Sequence, residues 1–513
     1  MEQAELRELE ARCIQEEAPW CTAACPLHVD VRTFMTQAAT GDWAAARKTL
    51  ERAMPLPGVL GRLCDHPCEA VCKRRAAGEA VRIGAVERRC VQEAGPQTKP
   101  LPLPKKSFRV AVLGAGLAGL TAASDLGRKG YPVHVVTSLD AVGGRLLELD
   151  PVSLPPDILL EELAALEKLG VTFATGQALD AAALTRLFAE HDACVLDREE
   201  PAVSALCPDE PAPLSLATQW ENVFASTGAG MGDGDTTFSP ITRTALGRKA
   251  ANSVDRFRQK VSQTAQREAE GPVATRLFTN LDNVAPLPAT PMADPAGYSA
   301  GEARTEAGRC LHCECLECVK HCLYLERFKG YPKKYAREIY NNSAIVKGTH
   351  LANRLINSCM LCGLCTALCP HDFPMAGLCL DTRQGMVQHN TMPVSAHAFA
   401  LEELADALSE RAFLTRHAPG TTVSRWLFFP GCQLAGTRPD QTRKVYAWLR
   451  ATLNVPGDAS VGLMLGCCGA PANWGGREAR FAEVLGFLRE HWERLGRPRV
   501  ITACSTCRAV FKE

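Results

Sequence analysis

At 513 residues the chain is longer than an ordinary single domain, so three or four domains are expected. Apolar residues make up 46% and charged residues 22%, with Lys plus Arg balancing Asp plus Glu at 57 each. That balance excludes wholesale disorder and leaves no global basic field for nucleic acid or acidic lipid. The amino terminus is charged and acidic, without the apolar core of a secretory signal, and no apolar run is long enough to span a membrane. The expectation is a soluble, cytoplasmic protein.

The 24 cysteines cluster: seven lie within 13–90, ten within 310–379 and five within 432–507, leaving Cys194 and Cys207 alone. A disulfide framework belongs to small secreted domains. Thiols crowded at short, fixed spacings suit metal or cluster ligation, which needs several thiolates within a few ångströms.

Residues 1–95 read as helical, since Ala44–Leu50 and the run from Ala11 are rich in helix formers. This segment carries Cys13, Cys21 and Cys25, followed by Cys64-Asp65-His66-Pro67-Cys68 and Cys72. Gly41-Asp42-Trp43 and Pro57–Arg62 lie between the two blocks. The pattern resembles the amino-terminal two-cluster domain of glutamate synthase small subunits and dihydropyrimidine dehydrogenase. The resemblance implies that Cys13, Cys21 and Cys72 share one cluster with Glu16 or a stand-in, Glu16 standing where the family has a second cysteine. It implies that Cys25, Cys64 and Cys68 hold another, with Glu87 as a non-cysteine ligand. A single cluster, or a cluster-free helical relic, are the alternatives.

Residues 96–106 form a proline-rich linker. Residues 107–270 begin with a β-α-β unit: a strand at Phe108–Leu113, a glycine turn, a helix through Arg128 and a strand at Val133–Val136. Gly114 permits the tight turn, Gly116 admits a pyrophosphate to the helix end, and Gly119 lets helix and strand pack closely. Gly143-Gly144-Arg145-Leu146 resembles the second glycine motif of flavin enzymes in the glutamate synthase small-subunit group, which implies FAD on a truncated Rossmann-like domain. Three departures stand against it. Thr137 and Ser138 follow Val136 where a ribose-binding acid is expected, Asp140 being the nearest. The late flavin motif reads Asn222–Ala229, with Asp233 and Asp235 displaced, and the family's inserted NAD(P)H domain is missing. An empty scaffold is the alternative.

Residues 271–300, with Pro286, Pro288, Pro291 and Pro295, read as a second linker. Residues 301–395 are predicted to be a helical ferredoxin-like domain. Cys359, Cys362, Cys365, Cys369 and Pro370 match the bacterial ferredoxin run without departure. Three of its cysteines wrap one 4Fe–4S cluster and the fourth reaches a second. The partner run holds Cys315, Cys318 and Cys322 in register, but His312 takes its first position between Cys310 and Cys313. Crossed ligation then groups Cys322 with Cys359, Cys362 and Cys365. It groups Cys315, Cys318 and Cys369 with either Cys310 or Cys313. The surplus thiol and Cys379 read as small buried hydrophobes, and a zinc knuckle is the alternative.

Residues 396–513 alternate strands and helices. Cys432, the vicinal pair Cys467-Cys468 before Gly469, and Cys504-Ser505-Thr506-Cys507 make five thiols, one more than a cubane or a zinc ion takes. This spacing resembles the cysteine-rich CCG domain of heterodisulfide reductase catalytic subunits and related lactate and glycolate oxidising systems. The resemblance implies a non-cubane iron–sulfur cluster at which a disulfide is cleaved. Those subunits carry two such repeats and only one is found here, so either a second half was lost or another subunit supplies it; zinc or a plain relay is the alternative reading of the site.

The sequence thus predicts a multidomain α/β oxidoreductase subunit with two 4Fe–4S clusters and up to five in all, working with redox donor and acceptor proteins. A small disulfide is the candidate substrate, and a non-catalytic electron wire is the rival reading.

Overall fold

The computed structural model describes residues 2–97, 103–226, 238–345, 347–453 and 461–512. The middle of the first linker and the expected late flavin positions Gly228, Ala229, Asp233 and Asp235 lie outside the described residues. The chain divides into two compact units, one of Glu16–Cys315 and one of Met1–Gln15 with Leu316–Glu513.

The unit of Glu16–Cys315 opens with short helices, among them Val31–Thr40, Trp43–Ala53, Pro57–Leu63 and Ile83–Glu93. Asp30 and Asp42 start the first two of these four by accepting the backbone N–H groups of Thr33 and Ala45 at 3.1 and 3.0 Å. Their inner faces bury Phe34, Met35, Ala38 and Leu50 without solvent contact.

The same unit contains a wholly parallel five-stranded sheet: β1 (Val110–Leu113), β2 (Val133–Val136), β3 (Val171–Ala174), β4 (Ala193–Leu196) and β5 (Val223–Ala225). Its order, β3-β2-β1-β4-β5, is the doubly wound arrangement with the crevice between β1 and β4. Strands β1 and β4 are buried along their whole length, as parallel strands covered on both faces must be.

Residues 271–300, expected as a spacer, are instead a strap fastened to the amino-terminal helices. The Val273 N–H donates to Ala23 O at 2.9 Å, and Trp20 Nε1 donates to Leu277 O at 2.8 Å. Leu287 exchanges backbone hydrogen bonds with Ala77 and Glu79. Prolines keep this segment extended, and its free carbonyls and amides find partners on the helices.

In the other unit, the helix Gln3–Arg12 packs on the helix Pro332–Ala344, where Arg337 pairs with Glu10. The cysteine-dense helical segment has its own apolar core of Tyr324, Leu325, Tyr335, Ile339, Ile356, Phe373 and Met375. A second sheet follows, of β6 (Leu414–Arg416), β7 (Trp426–Phe429), β8 (Val461–Leu465) and β9 (Arg499–Thr502). The order is β6-β8-β7-β9, with β8, β7 and β9 parallel and β6 antiparallel at the edge.

Candidate metal centres

In the helical part of the first-described unit, Cys25, Cys64, Cys68 and Glu87 come together. Burial pushes the Cys25, Cys64 and Cys68 thiols up, and the Glu87 carboxylate beside all three pushes the same way. Glu87 is 4% exposed, supplied by the helix Ile83–Glu93, and His66 Nε2 lies 3.5 Å from its carboxylate. A buried carboxylate among thiols is an unstable arrangement unless something positive sits among them.

Within the unit of Glu16–Cys315, the remaining cysteines gather with two from beyond the family pattern. Cys21 and Cys72 face Cys310 and Cys313 across a small cavity that is also lined by Val31, Met35, Val81 and Ile83. Burial, then the Cys310, Cys313 and Cys72 thiols, pushes Cys21 up to about 12. Cys310 rises to about 11 for the same reasons. Cys13, expected beside Cys21 and Cys72, belongs to the other unit, with Cys369 among the groups acting on it. The division falls between Gln15 and Glu16, and Cys310 and Cys313 stay with the helices that precede them.

In the cysteine-dense segment of the other unit, Cys322, Cys359 and Cys365 are neighbours. Burial followed by the Cys322 and Cys359 thiols raises Cys365 to about 11. Cys362 lies on the surface between them in sequence. Cys13, Cys318 and Cys369 pack against or within the same apolar core. Cys315 ends the preceding unit.

Cys379, expected as an inert hydrophobe, does more. Its thiol hydrogen-bonds Cys359, holding that thiol down to about 6, and lies 3.9 Å from the Tyr324 hydroxyl. Arg383, one turn further on, is 1% exposed. It donates to Ile356 O at 2.9 and 3.0 Å, to Cys359 O at 2.6 Å and to Trp474 O at 2.6 Å. Neither residue belongs to a spacing motif, and the only sequence signal is their position on one face of the helix Met375–Gln388.

The five carboxy-terminal thiols stand at the carboxyl ends of three adjacent parallel strands. Cys432 follows β7, Cys467 and Cys468 follow β8, and Cys504 and Cys507 follow β9. Side-chain hydrogen bonds link them as a row: Cys432–Cys467–Cys468–Cys507–Cys504. Hydrogen bonding with Cys467 and Cys507 holds the Cys468 thiol down, and hydrogen bonding with Cys467 holds Cys432 down. Cys467 and Cys507 are raised correspondingly. Gly431 has φ +81° and a Cβ there would stand 3.1 Å from Cys507 Sγ, so the backbone approaches the site where a side chain would intrude. Among the described residues, no three or more His, Cys, Asp or Glu side chains close into the shell of a single metal ion.

The glycine turn after β1 is already occupied. Gly119 N–H donates to Asp197 Oδ2 at 2.9 Å, and a Cβ on Gly116 would stand 2.7 Å from both Asp197 Oδ2 and Glu199 Oε2. Gly143 N–H donates to Ala115 O at 3.0 Å, and Gly144 packs on Gly116, so the two glycine motifs do meet. Asp197 is 1% exposed, and both Glu199 carboxylate oxygens are buried, near the Leu117 backbone N–H. Burial first, then Asp197, pushes Glu199 up to about 7 against the pull of Arg243 and Arg145. An internal carboxylate thus takes the helix end that a pyrophosphate needs. In this arrangement the residues present do not fit FAD.

Comparison with known proteins divides the chain at the same cysteine blocks. Residues 1–98 match the family model for dihydropyrimidine dehydrogenase domain II, 4Fe-4S cluster. Residues 309–374 match a 4Fe-4S dicluster domain, and residues 426–512 match the cysteine-rich CCG domain. Among curated proteins, NADPH-Fe(3+) oxidoreductase subunit beta of Geobacter sulfurreducens is 30% identical over 168 residues, covering 31% of this chain and 25% of its own. NADP(+)-dependent formate dehydrogenase subunit beta of Moorella thermoacetica is 31% identical, over 30% of this chain and 25% of its own. The glutamate synthase [NADPH] small chain of Azospirillum brasilense is 34% identical, over 26% of this chain and 30% of its own. The chain therefore spans no more than about a third of the length of these relatives. Its iron–sulfur segments are of known kinds, and the matched relatives are oxidoreductase subunits and glutamate synthases.

Proposed function

We propose that the chain is an electron-relay subunit of an oxidoreductase, passing single electrons through 4Fe–4S clusters to the five-thiol site, where a disulfide is reduced as in heterodisulfide reductase. The observation that carries this reading is the placement of Cys432, Cys467, Cys468, Cys504 and Cys507 just after the carboxyl ends of three adjacent parallel strands. Ligands bind at those ends in open α/β sheets. Two electrons and two protons convert one disulfide to two thiols, so a relay must deliver its electrons twice per turnover.

In this reading Cys322, Cys359, Cys362 and Cys365 hold one cluster, and Cys13, Cys318 and Cys369 supply three corners of a second. Cys25, Cys64, Cys68 and Glu87 hold a third, whose iron would add positive charge beside the buried carboxylate that His66 already faces. Arg383 binds Cys359 O and Trp474 O together, tying the ferredoxin-like segment to the five-thiol domain. Redox proteins on either side serve as donor and acceptor. A flavin, which the resemblance implies, would require Asp197 and Glu199 to leave the glycine turn.

Disulfide reduction driven by reduced viologen tests the reading on cluster-replete protein. Turnover that vanishes in Cys468→Ser with the other clusters retained is expected. No turnover by the fully loaded chain contradicts it and leaves the second reading, a non-catalytic wire, which the single CCG segment favours.

A further inference from the structure

Two cysteine motifs of this chain are incomplete in complementary ways. The amino-terminal motif has Glu16 where a cysteine is expected, and within the unit of Glu16–Cys315 Cys21 and Cys72 are two thiols short of a cluster's four. The ferredoxin-like run keeps its register from Cys315 onward, with His312 at its first position, so Cys310 and Cys313 both stand outside that register.

The fold brings the two remainders together. The helix Ala300–Ala307 packs on the helices Val31–Thr40 and Ile83–Glu93, and its end is fixed by a buried ion pair between Glu306 and Arg309. Glu306 accepts the N–H groups of Arg82 and Thr290 at 2.8 and 2.7 Å. Arg309 donates to Glu79 O and Leu287 O at 2.6 and 3.0 Å. Those bonds set down Cys310 and Cys313 opposite Cys21 and Cys72, and Arg32 Nη1 donates to Cys313 O at 3.0 Å. The cavity enclosed by the four thiols is otherwise almost wholly apolar, yet Arg32, Lys73 and Arg74 stand at its margin. Four thiols on one small apolar cavity, with Arg32, Lys73 and Arg74 among its other lining residues, suit a compact anionic group.

We propose that Cys21, Cys72, Cys310 and Cys313 together ligate one 4Fe–4S cluster, drawing two ligands from the amino-terminal motif and two from the segment before the ferredoxin-like run. This rests on the relay reading above and adds a centre that neither motif encodes alone. On assembly the four thiols become thiolates, their protons passing to solvent as iron and sulfide are taken up. The finished centre gains or loses one electron without breaking a ligand bond. Arg32, Lys73 and Arg74 offset its negative charge.

The test uses the full chain, purified without oxygen, read by iron and acid-labile sulfide content and by EPR of the reduced protein. Cys310→Ala/Cys313→Ala is expected to lose about four irons and four sulfides per chain, and Cys21→Ala/Cys72→Ala the same. The quadruple variant is expected to lose no more than either pair, because each removes the same cluster. Adding Cys359→Ala to either pair is expected to remove about four further irons. Losses from the two pairs that add to about eight irons, or no loss from the Cys310/Cys313 pair, overturn the assignment while the relay reading stands. A parent chain without iron overturns both. If a paired variant does not accumulate, Cys310→Ser retains an oxygen ligand and is expected to shift the EPR signal and midpoint of one cluster. A spectrum and midpoints identical to the parent's overturn the proposal.

Discussion

Arg383 and Glu199 are both buried charges, and they differ in how the fold answers them. Arg383 spends its donors on three backbone carbonyls and keeps its charge beside Cys359. Arg383→Met strips those carbonyls of their partner and is expected to cost about 2–4 kcal/mol of stability, read by thermal unfolding. It also removes a positive charge that favours the reduced cluster, so the midpoint of the Cys359 cluster is expected to fall. An unchanged midpoint would deny that Arg383 acts on that centre.

Glu199 has no such answer, and its folded-state pKa is raised by burial and Asp197 to about 7. The folded protein therefore holds a proton that the unfolded chain releases near the ordinary Glu value, so Glu199 lowers stability as pH rises between about 4.5 and 7. Glu199→Gln is expected to unfold at higher temperature than the parent at pH 7, with the gap closing toward pH 5. A gap independent of pH would contradict the assignment.

At the scale of elements, two turns decide what the sheets do. The turn after β1 has every glycine of a dinucleotide cradle and yet is filled by Asp197 from the end of β4. The chain as purified is expected to release less than about 0.1 flavin per chain on denaturation, set against the one per site of a filled Rossmann cradle. Stoichiometric FAD would show that the carboxylates withdraw. The turn after β7 needs Gly431, whose positive φ and closeness to Cys507 Sγ leave no room for a side chain. Gly431→Ala is expected to cost about 1–3 kcal/mol and to lower disulfide turnover, both measurable in one preparation.

These turns also show where the sequence was readable. The glycine spacing and the strand–helix alternation announce a parallel sheet, because period and punctuation are local properties. That Asp197 fills the turn is not local: it follows from β4 lying beside β1, 83 residues apart at Val110 and Ala193. The same holds for the thiols. The run from Cys359 to Cys369 announces itself by spacing, and so do the five thiols after β7, β8 and β9. The partners of Cys21 and Cys72 depend instead on the buried Glu306–Arg309 pair that sets down Cys310 and Cys313, which no spacing rule contains.

At the scale of the whole molecule, nineteen of the 24 cysteines fall into sets that face a carboxylate, a cavity or one another, while Cys90, Cys194 and Cys207 are buried outside these sets and Cys315 ends the unit of Glu16–Cys315. Cys379 supports Cys359 from behind. A chain whose thiols are so arranged has a composition of iron that follows from its fold. The measurement that tests the account most directly is iron, zinc and acid-labile sulfide per chain on anaerobically purified protein. About 16–20 irons with matching sulfide and no zinc are predicted, four cubanes with or without iron at the five-thiol site. About eight irons, with or without one zinc, would leave only the ferredoxin-like pair loaded and would contradict the relay.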